Sequence, residues 1–310
     1  MENYSVYASR LVEKGEPFTP GHRGCVGCCE ALAVRQVCKA LGKDVIVVNA
    51  TGCIEIISSG YPNTNWDIPW IHTLFENTAA VASGIEAGLK VLKRKGRYPS
   101  DRRTKVVAMA GDGGTADIGF QALSGMLERG HNVLYICFDN EAYMNTGIQR
   151  SGSTPYGATT TTSPAGAKSI GQRTWKKNMP RIVAAHGIPY VATANPCYPF
   201  DLMEKVKKAV AIDGPSYLQI YSACPTGWRS PTDTAIRISR LAVLSGVFPL
   251  FEIENGKWKM SIEVEKLIPV AEYFKAQGRF KHLGEKDIEY IQKHVIEEYE
   301  KIKEECRRQA

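Results

Sequence analysis

The chain has 310 residues, 44% of them hydrophobic and 23% charged, with a formal net charge of +7. That length suits one large domain or two small ones, and the composition is that of a soluble globular protein. No stretch approaches the roughly 20 consecutive apolar residues of a membrane span, residues 1–20 lack the basic region and apolar core of a secretory signal, and no interleaving of aromatic and basic residues points to nucleic acid; a cytoplasmic location is the expectation.

The positive charge is modest and scattered, so it reads as a solvated surface or as attraction for an acidic partner or a phosphorylated cofactor. Nine cysteines in such a chain argue for a metal or a reactive thiol rather than a disulfide framework.

In chain order, the first motif is Cys25-Val26-Gly27-Cys28-Cys29-Glu30, a C-x-x-C whose glycines, Gly24 and Gly27, allow a turn that aims both thiols at one object. Alone it fits a zinc half-site, a redox dithiol or half of an iron–sulfur site. Residues 31–41 predict a helix ended by Gly42. Residues 44–48 are β-branched and uninterrupted, a buried strand that delivers Cys53 just past its end. Residues 58–72 read as a loop whose Tyr61, Trp66, Trp70 and His72 line a pocket or bury an interface. Residues 76–95 predict a long amphipathic helix.

Residues 106–110 form an apolar run that stops at Gly111-Asp112-Gly113-Gly114-Thr115, with a helix to follow. A strand thus carries an acidic residue to a tight turn, where glycine permits close approach and a helix start attracts anions. A second apolar run, 132–138, ends at Asp139-Asn140. An aspartate, an asparagine carbonyl and a nearby main-chain carbonyl are hard oxygen ligands that suit Mg²⁺ holding a diphosphate. Residues 140–175, rich in Thr, Ser and Gly, are too long for a plain connection and read as a functional loop. Asn145 lies within it, placed to reach a bound cofactor. A helix over 179–186, a strand over 190–193, a helix over 199–211 and a strand over 216–221 follow, the last leading into Cys224-Pro225. From 231 a helix leads into an irregular tail, and 287–308 form a charged helix.

Alternating strands and helices predict an α/β fold: a doubly wound, mostly parallel sheet with helices on both faces and a C-terminal helical arm. The expected division is 1–230 as the binding domain and 231–310 as an extension that packs on a partner. Cys53, Asp112, Asn140 and Cys224 all follow predicted strands, so all four belong on one sheet edge, where ligands of open α/β sheets bind. Four thiols, Cys25, Cys28, Cys53 and Cys224, suit a [4Fe–4S] cluster or a structural zinc. Cys38 and Cys137 read as core residues, and Cys29 is the competitor for a ligand position.

Asp112 in Gly-Asp-Gly, followed further along by Asn140, resembles the signature of thiamine-diphosphate enzymes. With Gly21-His22-Arg23, Ala50-Thr51-Gly52-Cys53, Pro69-Trp70-Ile71-His72, Asp117-Ile118-Gly119 and Tyr143-Met144-Asn145-Thr146-Gly147, the chain from Gly21 to Leu283 closely resembles the β subunits of the pyruvate:ferredoxin and related 2-oxoacid:ferredoxin oxidoreductases. The resemblance implies a thiamine-diphosphate site in which Asp112, Asn140 and the Ala142 carbonyl hold Mg²⁺. It implies that Gly111, Gly113, Gly114, Thr146, Cys53 and Ile56 contact the cofactor and that Asn145 faces thiazolium and substrate. It also implies a [4Fe–4S] cluster on Cys25, Cys28, Cys53 and Cys224, coenzyme A as co-substrate for a pyruvate-type reaction, and ferredoxin as electron acceptor. The activating glutamate and the further clusters lie on other subunits in this family, so the chain is expected to be inactive alone, within a dimer of heteromers.

The sequence departs from the family pattern at Cys29, where glycine is usual, and at Gly60 and Asn65, where a larger residue and an alanine are usual. The added polarity points toward a smaller or more charged acid, which makes an oxalate oxidoreductase the alternative to a pyruvate enzyme. Two other readings stand beside these: a non-redox thiamine enzyme with structural zinc, and a non-catalytic assembly subunit.

Overall fold

The computed structural model describes residues 15–308; residues 1–14, which hold most of the stretch read as lacking a signal and the start of the expected 1–230 domain, lie outside the described residues. Strands β1 (Val45–Ala50), β2 (Trp70–Thr73), β3 (Lys105–Gly111), β4 (Val133–Asp139), β7 (Tyr190–Ala194), β8 (Ser216–Tyr221), β9 (Leu250–Glu254) and β10 (Lys257–Ile262) form one sheet, in the order β10-β9-β7-β8-β4-β3-β1-β2. A separate two-residue pairing joins β5 (Ala165–Gly166) to β6 (Ser169–Ile170). The strands from β2 across to β7 run parallel, while β9 and β10 are antiparallel to their neighbours.

The helices are α1 (Cys29–Leu41), α2 (Cys53–Ser58), α3 (Thr78–Arg94), α4 (Phe120–Glu128), α5 (Met179–Ala184), α6 (Pro199–Ala211), α7 (Pro225–Trp228), α8 (Ala235–Leu244), α9 (Val270–Phe274) and α10 (Glu285–Arg307). Side chains alternate across a strand, and the central strands supply both cores in this way. Val107, Met109, Leu134, Ile136 and Phe138 pack with Val34, Val37, Leu202 and Val206 of α1 and α6. Val106, Ala108, Val133, Tyr135 and Cys137 pack on the other face with Ala79, Ala82, Leu123 and Met126 of α3 and α4. Covered on both sides, β3 and β4 have no polar face to alternate, which is why they read as unbroken apolar runs. The expected doubly wound sheet is the architecture found.

Three local expectations are corrected. Residues 58–72 are not loop to the end: Trp70–Thr73 pair in parallel with β1 as an edge strand. Only Thr73 of its four residues is buried, so no apolar pattern announced it. A π-helical turn, Gly114–Ile118, intervenes between the glycine turn and α4. It closes so tightly that a Cβ on Gly119 would lie 2.2 Å from the Gly114 carbonyl oxygen. The irregular tail expected beyond the helix at 231 is instead the β9–β10 hairpin, and β9 adds to the main sheet beside β7. α10 lies on β10, burying Tyr299 and Ile302. Among the described residues, no helix is long and apolar enough to cross a membrane.

Ile136 is fully buried in β4, the strand that leads into Asn140. Ile136→Ala is expected to cost roughly 2–5 kcal/mol of stability, read as a lowered Tm by circular dichroism of the purified protein.

Candidate functional site

β1, β3, β4 and β8 are neighbours, and their carboxyl ends lead into Cys53, Asp112, Asn140 and Cys224 respectively. A cleft at this edge is lined by Glu30, Cys53, Gly111 through Gly114, Asn140 and Ala142 through Thr146. Gly113 is required by crowding: a Cβ there would lie 2.3 Å from the Tyr143 ring, whose hydroxyl donates to the Gly113 carbonyl at 3.0 Å.

The oxygen ligands expected for a cation come together. Asp112 is 1% exposed, and its Oδ2 accepts from the Ser151 hydroxyl while Oδ1 has no protein partner. Burial, followed by the charge of Asp139, pushes its carboxyl well above the usual range. Asn140 is buried too. Its Nδ2 donates to Glu30 Oε2 at 2.9 Å, its main-chain oxygen accepts from Trp228 Nε1 at 2.9 Å, and its Oδ1 is unpartnered. Two buried acceptor oxygens without donors are a deficit that a divalent cation with oxygen preference removes. Ala142, buried on the same wall, completes the expected set. Mg²⁺ bound through a diphosphate therefore fits these residues.

The loop that carries Asn140 is held by a charge network. Lys176 Nζ lies 2.5 Å from Asp139 Oδ2 and 2.9 Å from Glu141 Oε1, and Arg279 Nη2 lies 2.6 Å from Glu141 Oε2. Burial raises the Asp139 carboxyl despite Lys176; burial also opposes ionisation of Glu141, yet Lys176 and Arg279 hold its carboxyl below the ordinary value. Glu141 sits at a φ of 69°, a left-handed conformation uncommon for a residue with a side chain.

The thiols lie beside this site. Cys28 caps α1, its sulfur accepting from the Ala31 amide at 3.4 Å; Cys224 caps α7, accepting from the Gly227 amide at 3.3 Å. Burial and the Glu30 carboxylate push the Cys28 thiol up to about 12. Cys224 is pushed up to about 11, chiefly by burial, and Cys53 rises by burial and by the charges of Glu30, Cys224 and Cys28. Burial and mutual repulsion disfavour the thiolate forms here, which the positive charge of a bound metal centre would stabilise, and the amide donors suit sulfur ligands. Cys25 is exposed and close enough to Cys224 for its charge to be felt there. Gly27 meets Thr232 so closely that a Cβ would stand 2.1 Å from its carbonyl oxygen. An iron–sulfur cluster fits the donor set.

Asn145 and Thr146 are exposed at the mouth of the cleft. Ile56 does not line it; it lies 48% exposed on the outer side of α2. Cys38 and Cys137 are fully buried core residues, and Cys29 turns into the interior, 3.5 Å from the Ser239 hydroxyl. Sequence reasoning missed Glu30, Ser151, Lys176, Trp228 and Arg279. Glu30 follows the cysteines directly, and Ser151 and Lys176 belong to or adjoin the loop already singled out; Arg279 carried no signal. The closed part of the cleft amounts to about 30 Å³, far below the several hundred Å³ of a complete cofactor pocket. A roomier cavity, about 330 Å³, lies behind Lys176 under α10, but its lining is mainly apolar and aromatic.

Residues 50–220 match the family of the thiamine pyrophosphate enzyme C-terminal TPP-binding domain. The chain is 58% identical over 282 residues to the pyruvate synthase subunit PorB of Methanocaldococcus jannaschii, covering 91% of this chain and 95% of that protein. It is 52% identical over 290 residues to the ketoisovalerate oxidoreductase subunit VorB of Pyrococcus furiosus, covering 93% of each. The fold is that of a solved 2-oxoglutarate:ferredoxin oxidoreductase from Magnetococcus marinus, with a TM-score of 0.53 at 24% identity over 77% of this chain and 81% of that one.

Lys176→Met leaves the buried carboxylates of Asp139 and Glu141 without their shared cation, and is expected to cost roughly 3–5 kcal/mol. Because the folded-state value of Glu141 is depressed, its contribution is present above its unfolded pKa of about 4.3 and is lost as pH falls through the lower folded value. The variant weakens that depression, so acid unfolding followed by fluorescence is expected to begin at a higher pH than in the wild type.

Proposed function

The chain belongs to the β subunits of the thiamine-diphosphate-dependent 2-oxoacid:ferredoxin oxidoreductases, and from that premise we propose that it builds the diphosphate and sulfur half of a pyruvate-cleaving site. It is an oxidoreductase subunit that works within a multi-subunit complex. The observation that carries the reading is the pair of donor-less buried oxygens, Asp112 Oδ1 and Asn140 Oδ1, in one cleft beside the thiols. Pyruvate is favoured because relatives named pyruvate synthase subunit reach 58% identity, while others so named lie at 50–52%, level with the 52% of those named for ketoisovalerate.

In this proposal Asp112, Asn140 and the Ala142 carbonyl hold Mg²⁺, and Gly113 and Gly114 let the backbone approach the diphosphate. Bound thiamine diphosphate supplies the electron sink for loss of CO₂, and a [4Fe–4S] cluster on Cys25, Cys28, Cys53 and Cys224 supplies a one-electron path. Asn145 orients the substrate carboxylate at the mouth of the cleft. Tyr143, pinned to Gly113, keeps that wall rigid. For each pyruvate and coenzyme A consumed, one acetyl-CoA, one CO₂ and one proton form, and two electrons leave singly for ferredoxin. A partner subunit supplies the pyrimidine-binding wall and the distal clusters, and α10 presents Tyr290 and Ile296 outward as a surface for such a partner.

In the purified complex, Asp112→Ala is expected to abolish thiamine diphosphate binding, measured by fluorescence quenching, and with it pyruvate turnover; unchanged turnover overturns the assignment. Cys53→Ala is expected to retain cofactor binding while losing one cluster signal in electron paramagnetic resonance and the reduction of ferredoxin. Turnover of pyruvate well above that of 2-oxoisovalerate, 2-oxobutyrate and oxalate is the expected substrate ranking.

A further inference from the structure

Glu30 has no part in the roles given above, yet its carboxylate is 3% exposed and faces the cleft between the thiols and the oxygen ligands. Asn140 Nδ2 donates to it at 2.9 Å. A side-chain amide presents an oxygen and a nitrogen of nearly the same size, and its neighbours decide which end faces a ligand. An amide nitrogen donates and does not accept, so contact with the oxygen of an ionised carboxylate selects the NH₂ end. Glu30 thereby turns the Asn140 oxygen away from itself, to a place where it has no protein donor. The main chain of Asn140 is fixed separately, by Trp228 Nε1 on its carbonyl oxygen.

Glu30 is itself held firmly. It sits in the first turn of α1, which Cys28 caps, and the adjoining Cys29 amide donates to the Ala223 carbonyl at 3.3 Å, one residue before Cys224. We propose that Glu30 is a positioning residue that sets the Asn140 amide so that its oxygen faces the cation of the diphosphate, and so couples the cysteine-bearing start of α1 to that cation. This inference rests on the reading of Asp112, Asn140 and Ala142 as the cation's ligands.

The test uses the intact complex stripped of Mg²⁺ and thiamine diphosphate. Mg²⁺ is titrated at a fixed concentration of thiamine diphosphate, and cofactor binding is read by quenching of tryptophan fluorescence. Glu30→Ala is expected to raise the half-saturating Mg²⁺ concentration roughly 10–100-fold, the usual effect of losing a residue that orients a metal ligand. Glu30→Gln keeps an acceptor oxygen at the same reach and is expected to bind Mg²⁺ nearly as the wild type does. Glu30→Asp keeps the charge but withdraws the acceptor by one methylene, and is expected to resemble Glu30→Ala. If the alanine variant fails to assemble, the Gln and Asp variants decide the matter. Retained affinity in Glu30→Asp with lost affinity in Glu30→Gln overturns the proposal, because charge rather than amide orientation would then be at work. Wild-type affinity in Glu30→Ala overturns it equally. Asp112→Ala is the control for the ligand reading: normal binding there removes the cation site itself, whereas loss there with no effect at Glu30 removes only the positioning role.

Discussion

Two carboxylates, Asp139 and Glu141, are buried on either side of Asn140, and Lys176 and Arg279 are what permit them to stay there. Taking a charge out of water costs several kcal/mol, and only a close partner with good geometry offsets it. Lys176 meets both carboxylates, and Arg279 meets Glu141 while its guanidinium lies 3.7 Å from the Trp228 ring centre. With its neighbours fixed on both sides, the strained turn at Glu141 keeps one shape, and the Asn140 amide keeps one place. The partners come from far along the chain: Lys176 from the end of the long irregular segment, Arg279 from beyond β10. A loop at the end of a central strand is thus completed by residues from the second half of the protein.

The same loop joins the two halves of the site. Trp228 belongs to α7, which Cys224 caps, and it donates to the Asn140 carbonyl; Glu30 belongs to α1, which Cys28 caps, and it accepts from the Asn140 amide. Asn140 is therefore bonded to both cysteine-bearing helix starts. The buried oxygens of Asp112 and Asn140 and the thiols of Cys53 and Cys224 thus share one sheet edge, the arrangement that the proposed electron transfer calls for.

That edge is unfinished. Val26 in the cysteine turn, Ile56 on α2, Ile71 and Leu74 in and just after β2, and Ile118 in the π-helical turn are exposed apolar residues, and Tyr61 is 94% exposed. Apolar side chains scattered singly are ordinary, and a group of them near one edge would suit a surface for another subunit. The small closed volume of the cleft agrees, since a cofactor would need a second wall. A subunit of a larger complex, with relatives named as subunits, accounts for both observations.

The strands, the glycine turn at Asp112 and the placement of Cys53, Asn140 and Cys224 past strand ends were legible in the sequence. Buried parallel strands leave unbroken apolar runs, and tight turns demand glycine at fixed places; both are local constraints that composition and spacing record. The edge strand at Trp70 and the hairpin beyond α8 were not legible, because exposed or irregular strands carry no such pattern. Nor were Glu30, Lys176, Trp228 and Arg279 as companions of Asn140, because each acts through a contact between residues far apart in the chain. The sequence alone determined which residues stand at the sheet edge. Only the tertiary structure decided which way the Asn140 amide points and which cations meet its buried neighbours, because both depend on distances that no spacing along the chain encodes.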